Sequence, residues 1–222
     1  LKDTANTSKR NSERRVPKSD IKSNIVFTPE QKDAKELIRN SKVSVLYGAA
    51  GTSKTMVAIH TAVDMFCKRE VEKVYILRPA VAIESIGFLP GSMVEKLDPY
   101  FEPIYQNLHK AFGKEVIDKM IKDEKIEIIA LAFIQGWTID GCLVVDEAEN
   151  ITEKQTRMVL TRLGKGSKIV FTGDTDQVML NDRDKSGFKK LLSLEGKIEG
   201  FSTKEMLTNY RDEFVKDVLK LY

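Results

Sequence analysis

The sequence predicts an α/β protein with a mostly parallel central sheet, flanked by helices and interrupted by a helical insertion. Three observations carry this expectation. Short apolar runs at Val43–Tyr47, Lys73–Leu77, Ile126–Ile129, Cys142–Asp146 and Ser167–Thr172 alternate with helix-length segments, as in chained βαβ units. Cys142-Leu143-Val144-Val145 is apolar at every position, as a central parallel strand covered on both faces should be. Several runs end in polar or charged clusters, where ligands gather in parallel sheets.

The segment from Leu1 to Asn24 has almost no apolar content and includes Pro17. It reads as a disordered basic arm, either attracted to nucleic-acid phosphates or simply solvated. It holds seven basic and three acidic residues, so it carries +4 of the total charge of +3 and leaves the remainder near −1. Nucleic-acid binding by residues 25–222 would therefore need a local patch. The arm offers no apolar signal-peptide core, and Leu1 in place of Met leaves room for preceding residues.

Thr28-Pro29-Glu30-Gln31 reads as a helix start with a capping box: Thr28 at the N-cap, Pro29 at N1 and Gln31 at N3. Gln31 has two readings. It caps the helix, or its amide hydrogen-bonds an adenine edge, since an amide donates and accepts at once. The helix from about Lys54 to Lys68 places Val57, Ala58, Thr61, Ala62 and Met65 at helical spacing. The next strand ends in Arg78-Pro79, where Arg78 is either a phosphate contact, to nucleic acid before nucleotide, or half of a salt bridge.

A turn-rich break at Gly87–Gly91 opens the insertion, about 84–122. Ser92 to Phe112 reads as a helix interrupted at Asp98-Pro99, followed by a second helix at Lys114–Lys122. Its aromatics serve as core or as base-stacking platforms. Leu131–Gly136 reads as a short helix or turn, and Thr152–Leu163 as a helix ended by Gly164. Another helix is expected from Ser186 to Leu194, a late strand over Lys197–Phe201, and a closing amphipathic helix from Asp212 that includes Phe214, Val215, Val218 and Leu219.

Composition bounds the class. At 222 residues, 41% hydrophobic and 31% charged, the chain suits one α/β domain with appendages. No run approaches the roughly 18 apolar residues of a membrane helix. Cys67 and Cys142 stand far apart in apolar contexts, which fits reduced core residues of a cytoplasmic protein. With only His60 and His109 besides, a zinc site is not expected.

The chemistry concentrates in Gly48-Ala49-Ala50-Gly51-Thr52-Ser53-Lys54-Thr55. Strand, glycine-rich turn, Lys-Thr and helix make a P-loop arrangement. Its backbone N–H groups converge on phosphate oxygens, Lys54 reaches the β and γ phosphates, and the Thr55 hydroxyl holds Mg²⁺. Ser53 stands where glycine is expected. Asp146-Glu147 close the most apolar strand. Beside a P-loop, Asp146 can hold the same Mg²⁺ while Glu147 takes a proton from the attacking water. Gly173-Asp174-Thr175-Asp176-Gln177 follows another strand and can place the Gln177 amide at the γ-phosphate as a sensor, or be a tight turn. Arg211 precedes the last helix and is either an arginine finger or an ordinary surface residue.

Together the three strand-end motifs resemble those of superfamily-1 helicases. The likeness sharpens with Leu77-Arg78-Pro79-Ala80-Val81, Gly87-Phe88-Leu89-Pro90-Gly91, Lys96-Leu97-Asp98-Pro99-Tyr100, Leu131-Ala132-Phe133-Ile134-Gln135-Gly136 and Leu160-Thr161-Arg162-Leu163-Gly164, followed by Ser167-Lys168. This set resembles the PhoH family of P-loop ATPases from about Val26 onward. The resemblance implies a RecA-like ATPase core, ATP and Mg²⁺ as cofactors, and a homo-oligomeric ring, a hexamer being one form. It also implies ATP-dependent action on RNA or single-stranded DNA. By the same resemblance, Lys54 and Thr55 bind phosphate and metal, Asp146 is a metal ligand and Glu147 the catalytic base. Gln177 becomes the γ-phosphate sensor, and Arg211 matches a late arginine that follows the last strand. Ser53 departs from the pattern, as does Glu149 where the family usually has glutamine.

Translocation needs a nucleotide between two moving RecA-like units, and this chain has one, so a motor would have to oligomerise. Two other classes remain: an ATP-binding switch or scaffold with little turnover, and a nucleotide or small-molecule kinase. The Gly-Asp-x-x-Gln motif weighs against the kinase, which has no need of it.

Overall fold

The structure is a computed structural model that describes residues 25–79, 93–180 and 185–215, together with Ile21 and Ser23. The rest of the basic arm, the Gly87–Gly91 turn, residues 84–92 of the insertion, and Val218 and Leu219 of the expected last helix lie outside the described residues.

Six strands form one sheet: β1 Val43–Tyr47, β2 Val74–Arg78, β3 Ile126–Ala130, β4 Cys142–Val145, β5 Lys168–Gly173 and β6 Phe201–Glu205. Their order is β3-β2-β4-β5-β1-β6, and every pairing is parallel. Helices α1 (Pro29–Asn40), α2 (Lys54–Cys67), α3 (Met93–Phe112) and α4 (Lys114–Lys122) precede β3, while α5 (Glu153–Leu160) and α6 (Phe188–Leu192) come after β4.

Alternation along the strands sorts the core into two layers. Leu46, Ile76, Val144 and Val170 face α1, α2, α3 and α4. Val45, Leu77, Val145 and Phe171 face the layer that holds Val159 of α5 and Phe188 and Leu191 of α6. Covering both faces explains why the central strands read as unbroken apolar runs. Register brings the strand ends level, with Tyr47 paired to Gly173 and Leu77 to Val145. The loops that leave β1, β2, β4 and β5 therefore open on the same side.

Two expectations are corrected. The insertion helix is not broken at Asp98-Pro99: α3 runs unbroken from Met93 to Phe112. Prolines there forgo backbone hydrogen bonds, but Phe101, Ile104, Leu108 and Phe112 are buried in the α1–α4 layer, and that packing holds the helix through them. These aromatics are core. The late strand is Phe201–Glu205 rather than Lys197–Phe201. Ile198, which suggested the earlier position, is 52% exposed in a turn. The true strand is an edge strand with Ser202, Thr203, Lys204 and Glu205, a polar run that carries little strand signal. Helix boundaries also tighten, since α5 ends at Leu160 and α6 at Leu192.

Candidate nucleotide site

The loop between β1 and α2 is built from backbone that only certain residues tolerate. Gly48 has φ +135°, and a Cβ there would lie 2.4 Å from the Met206 carbonyl oxygen. Gly51 has φ +87°, and a Cβ would meet the Arg211 and Asn209 side chains at 2.6 and 2.8 Å. Ser53 adopts the left-handed conformation, φ 63° and ψ 19°, directly before α2. This conformation costs an L-residue with a Cβ about 1–2 kcal/mol. The Ser53 hydroxyl donates to the Thr52 carbonyl at 2.6 Å and accepts from Gln31 Nε2 at 2.8 Å. Lys54 Nζ donates to the Gly48 and Ala49 carbonyls at 2.7 and 2.8 Å. Burial lowers the Lys54 pKa, while Asp174, Glu149 and Asp146 oppose that shift.

Two segments distant in sequence clasp this loop. From α1, the Glu30 carboxylate accepts from the Leu207 and Thr208 amides at 2.7 and 3.2 Å. Burial pushes the Glu30 pKa up, but these bonds outweigh it and the pKa falls. After β6, Met206 N–H donates to the Tyr47 carbonyl at 2.8 Å and Tyr210 N–H to that of Gly51 at 3.0 Å. Asn209 Nδ2 reaches the Ala50 carbonyl at 3.2 Å, and the Tyr210 and Thr28 hydroxyls are bonded at 2.9 Å. The capping box at Thr28 and Gln31 is present in both directions.

The opposite wall is acidic. Asp146 is buried at the end of β4, and its Oδ1 accepts from the Thr55 hydroxyl at 2.6 Å and the Thr172 hydroxyl at 2.8 Å. Glu147 has a left-handed backbone, φ 50°, and its Oε1 accepts from Arg78 Nη2. Arg78 also donates to the Tyr100 carbonyl at 3.3 Å and places Nε 4.0 Å from Asp146. Arg78 thus forms the salt bridge that was one of its two readings. Glu149 Oε2 accepts from the Asp174 amide at 3.2 Å. Burial pushes the Glu149 pKa up to about 7, aided by the charges of Glu147 and Asp146. Gln177 Nε2 donates to Asp174 Oδ2 at 2.8 Å.

Between the walls lies a cavity of about 340 Å³ lined by Ala50, Gly51, Ser53, Lys54, Thr55, Met56, Asn107, Glu147, Glu149, Gly173, Asp174, Gln177 and Arg211. The loop after β1, the acids after β4, the turn after β5 and Arg211 therefore converge. This is the arrangement of a P-loop nucleotide-binding fold.

Residues 25–222 match the family model described as PhoH-like protein. The chain belongs to the PhoH-like family. It is 42% identical over 161 residues to a PhoH-like protein of Bacillus subtilis (strain 168), covering 72% of this chain and 50% of that one. A PhoH-like protein of Mycobacterium tuberculosis (strain ATCC 25618 / H37Rv) is 38% identical over 179 residues, 79% of this chain and 51% of the relative. The chain spans about half the length of these curated relatives. Among solved structures, the large terminase of a thermophilic bacteriophage shares the fold, with a TM-score of 0.54 at 12% identity over 88% of this chain and 50% of that one.

Relative to the motifs of this PhoH-like chain, Thr172 and Asn107 are additions. Thr172 could have been found from its place at the tip of β5, beside the Gly173 turn. Asn107 had no such signal, because its placement depends on how the insertion helix packs. Mg²⁺ asks for hard oxygen ligands and usually keeps waters and phosphate oxygens in its shell. A Thr55 hydroxyl and a buried Asp146 carboxylate within hydrogen-bonding distance fit that demand. Among the described residues, no group of three or more His, Cys, Asp or Glu side chains could hold a metal alone. Neither Cys67 nor Cys142 forms a disulfide. No helix among the described residues is long and apolar enough to cross a membrane.

Proposed function

We propose that this protein binds ATP with Mg²⁺ and hydrolyses it, working in the cytoplasm as a homo-oligomeric ring, such as a hexamer, on RNA or single-stranded DNA. Residues 25–222 form the ATPase unit, with its helical insertion at about 84–122, and the arm at 1–24 adds attraction to nucleic-acid phosphates. One observation carries the reading: the Thr55 hydroxyl and the Asp146 carboxylate meet at 2.6 Å, joining phosphate loop and acidic strand end, with Glu147 next in the chain.

In this mechanism the amides of residues 48–55 and the Lys54 ammonium hold the phosphates. Thr55 and Asp146 would hold Mg²⁺, which when bound would supply charge neutralisation to the phosphates. Thr55 and Asp146 orient that end of the site, and the Thr172 hydroxyl fixes the Asp146 carboxylate. Glu147 accepts the proton of the attacking water. Gln177, on the turn after β5, senses the γ-phosphate, and Arg211, beside Gly51, supports charge on the transferred group.

The decisive experiment is ATP turnover with and without single-stranded RNA, beside a mass measurement in ATP and Mg²⁺. Turnover stimulated by RNA from an oligomer is expected, and a monomer under those conditions would overturn the ring. A second reading, an ATP-binding switch with little turnover, is favoured by the Arg78–Glu147 pair, which ties up the base. In that case basal turnover sits near background, no nucleic acid changes it, and Arg78→Ala raises it.

A further inference from the structure

Gln31 is 4% exposed and both ends of its amide are engaged within the protein. Oε1 accepts from the Thr28 amide at 3.0 Å, closing the helix cap. Nε2 donates to Ser53 Oγ at 2.8 Å. Gln31 is not among the residues lining the cavity, whereas Ser53 is. An amide that reads an adenine edge must present a donor and an acceptor together to the base, and here each is turned to a different protein atom.

The partner of Nε2 explains the arrangement. Ser53 is the loop residue that carries a Cβ in a left-handed conformation, φ 63°, where glycine would sit without strain. Its hydroxyl is fixed from two sides, by the Thr52 carbonyl at 2.6 Å and by Gln31. Strained backbone persists where its surroundings over-determine it. Its amide neighbour, Lys54, opens α2 and contacts the loop carbonyls. Any release of Ser53 therefore shifts the donors that meet phosphate.

We infer that Gln31 is a positioning residue, a strut from the cap of α1 that holds Ser53 in its left-handed conformation, so that it supports phosphate binding whatever the base. The inference rests on the nucleotide-site reading above. It gives the serine in this loop a purpose: serine supplies a handle by which α1 sets the loop, where glycine would be free.

The test is a double-mutant cycle on the full chain, with binding of ADP and of inorganic triphosphate measured by calorimetry in Mg²⁺. Gln31→Ala is expected to weaken both probes by about fivefold to tenfold, the net worth of one buried hydrogen bond. Ser53→Ala keeps the Cβ, leaves the helix cap alone and should lose a similar factor. The double variant should lose clearly less than the product of the two single losses, because both singles break the Gln31–Ser53 bond, beside the Thr28 cap that only Gln31→Ala opens and the Thr52 contact that only Ser53→Ala removes. In a Ser53→Gly background, Gln31→Ala should cost less than about twofold, since no strained residue remains to be held. That rescue is something a purely structural cap would not show. A loss confined to ADP overturns the strut in favour of base reading, and so do additive losses or an undiminished effect on Ser53→Gly. Failure of the wild-type chain to bind either probe overturns the site itself and the strut with it.

Discussion

The two walls of the cavity are made from different materials. The β1 wall is mainly backbone held by backbone: the Tyr47 and Gly51 carbonyls accept from the Met206 and Tyr210 amides, and Glu30 secures that segment through the Leu207 and Thr208 amides. The β4 wall is side chain held by side chain: Asp146 by two hydroxyls, Glu147 by a guanidinium, Glu149 by burial and the Asp174 amide. Backbone networks fix shape and respond little to pH. Carboxylate clusters fix charge and respond strongly. Substitutions on the first wall should therefore alter binding and stability, and those on the second should alter turnover and its pH dependence.

Glu147→Gln gives the largest separation. Under the proposed mechanism it lowers turnover by about 10²–10⁴-fold, the usual worth of a general base, with ADP affinity within about twofold of wild type. Equal losses in turnover and affinity would erase the contrast between walls. Next comes the pH dependence set by Glu149. Its folded pKa is raised from 4.5 to about 7, so the folded chain holds a proton that the unfolded chain releases. The stability this represents is complete below the unfolded value and is lost as pH rises through about 7. Glu149→Gln should flatten that fall, on the order of 1–3 kcal/mol between pH 4.5 and 7.5 by denaturant titration. An unchanged slope would show that Glu149 is not the group responsible.

On the other wall, Glu30→Ala removes the acceptor of two backbone amides and should cost about 1–2 kcal/mol. For a domain of this size the melting temperature then drops by roughly 2–8 °C. ADP binding should weaken with it, while the fall in stability that Glu149 sets towards pH 7.5 is kept and only the acid side of the profile changes. Smallest is Lys73→Ala, which breaks the ion pair with Glu127 at 2.6 Å away from both walls. It should change stability by less than about 1 kcal/mol and binding not at all.

The difference between the walls also governs what the sequence discloses. The acidic wall was legible because charge at the end of an apolar strand is costly without a purpose, so Asp146 and Glu147 stand out against Cys142–Val145. The phosphate loop was legible for its glycines and Lys54-Thr55. The clasp was not, since Leu207, Thr208 and Tyr210 contribute main-chain atoms that any residue possesses. β6 was displaced for a related reason: an edge strand of Ser, Thr, Lys and Glu is recognised by its partner β1 and not by its own composition. The unbroken α3 depends on packing that outweighs proline, which local propensity does not contain. For Arg78 and Gln31 the residue types were marked, but the choice between two partners needed coordinates. Gln31 meets Ser53 across twenty-two positions, and no periodicity relates them.

The clasp also sets an order of events in synthesis. Glu30 and Thr208 are separated by 178 positions, so the contact that closes the phosphate loop has one of the longest sequence separations in the chain and carries a large loop-closure cost. On a ribosome, β1, its glycine loop and α2 emerge early, yet the wall that holds the loop emerges only after β6. A nascent chain halted before Phe201 holds every residue from Gly48 to Thr55 but lacks the partners of Tyr47, Ala50 and Gly51. The clasp around the phosphate loop is therefore completed late, with β6 and the segment that follows it.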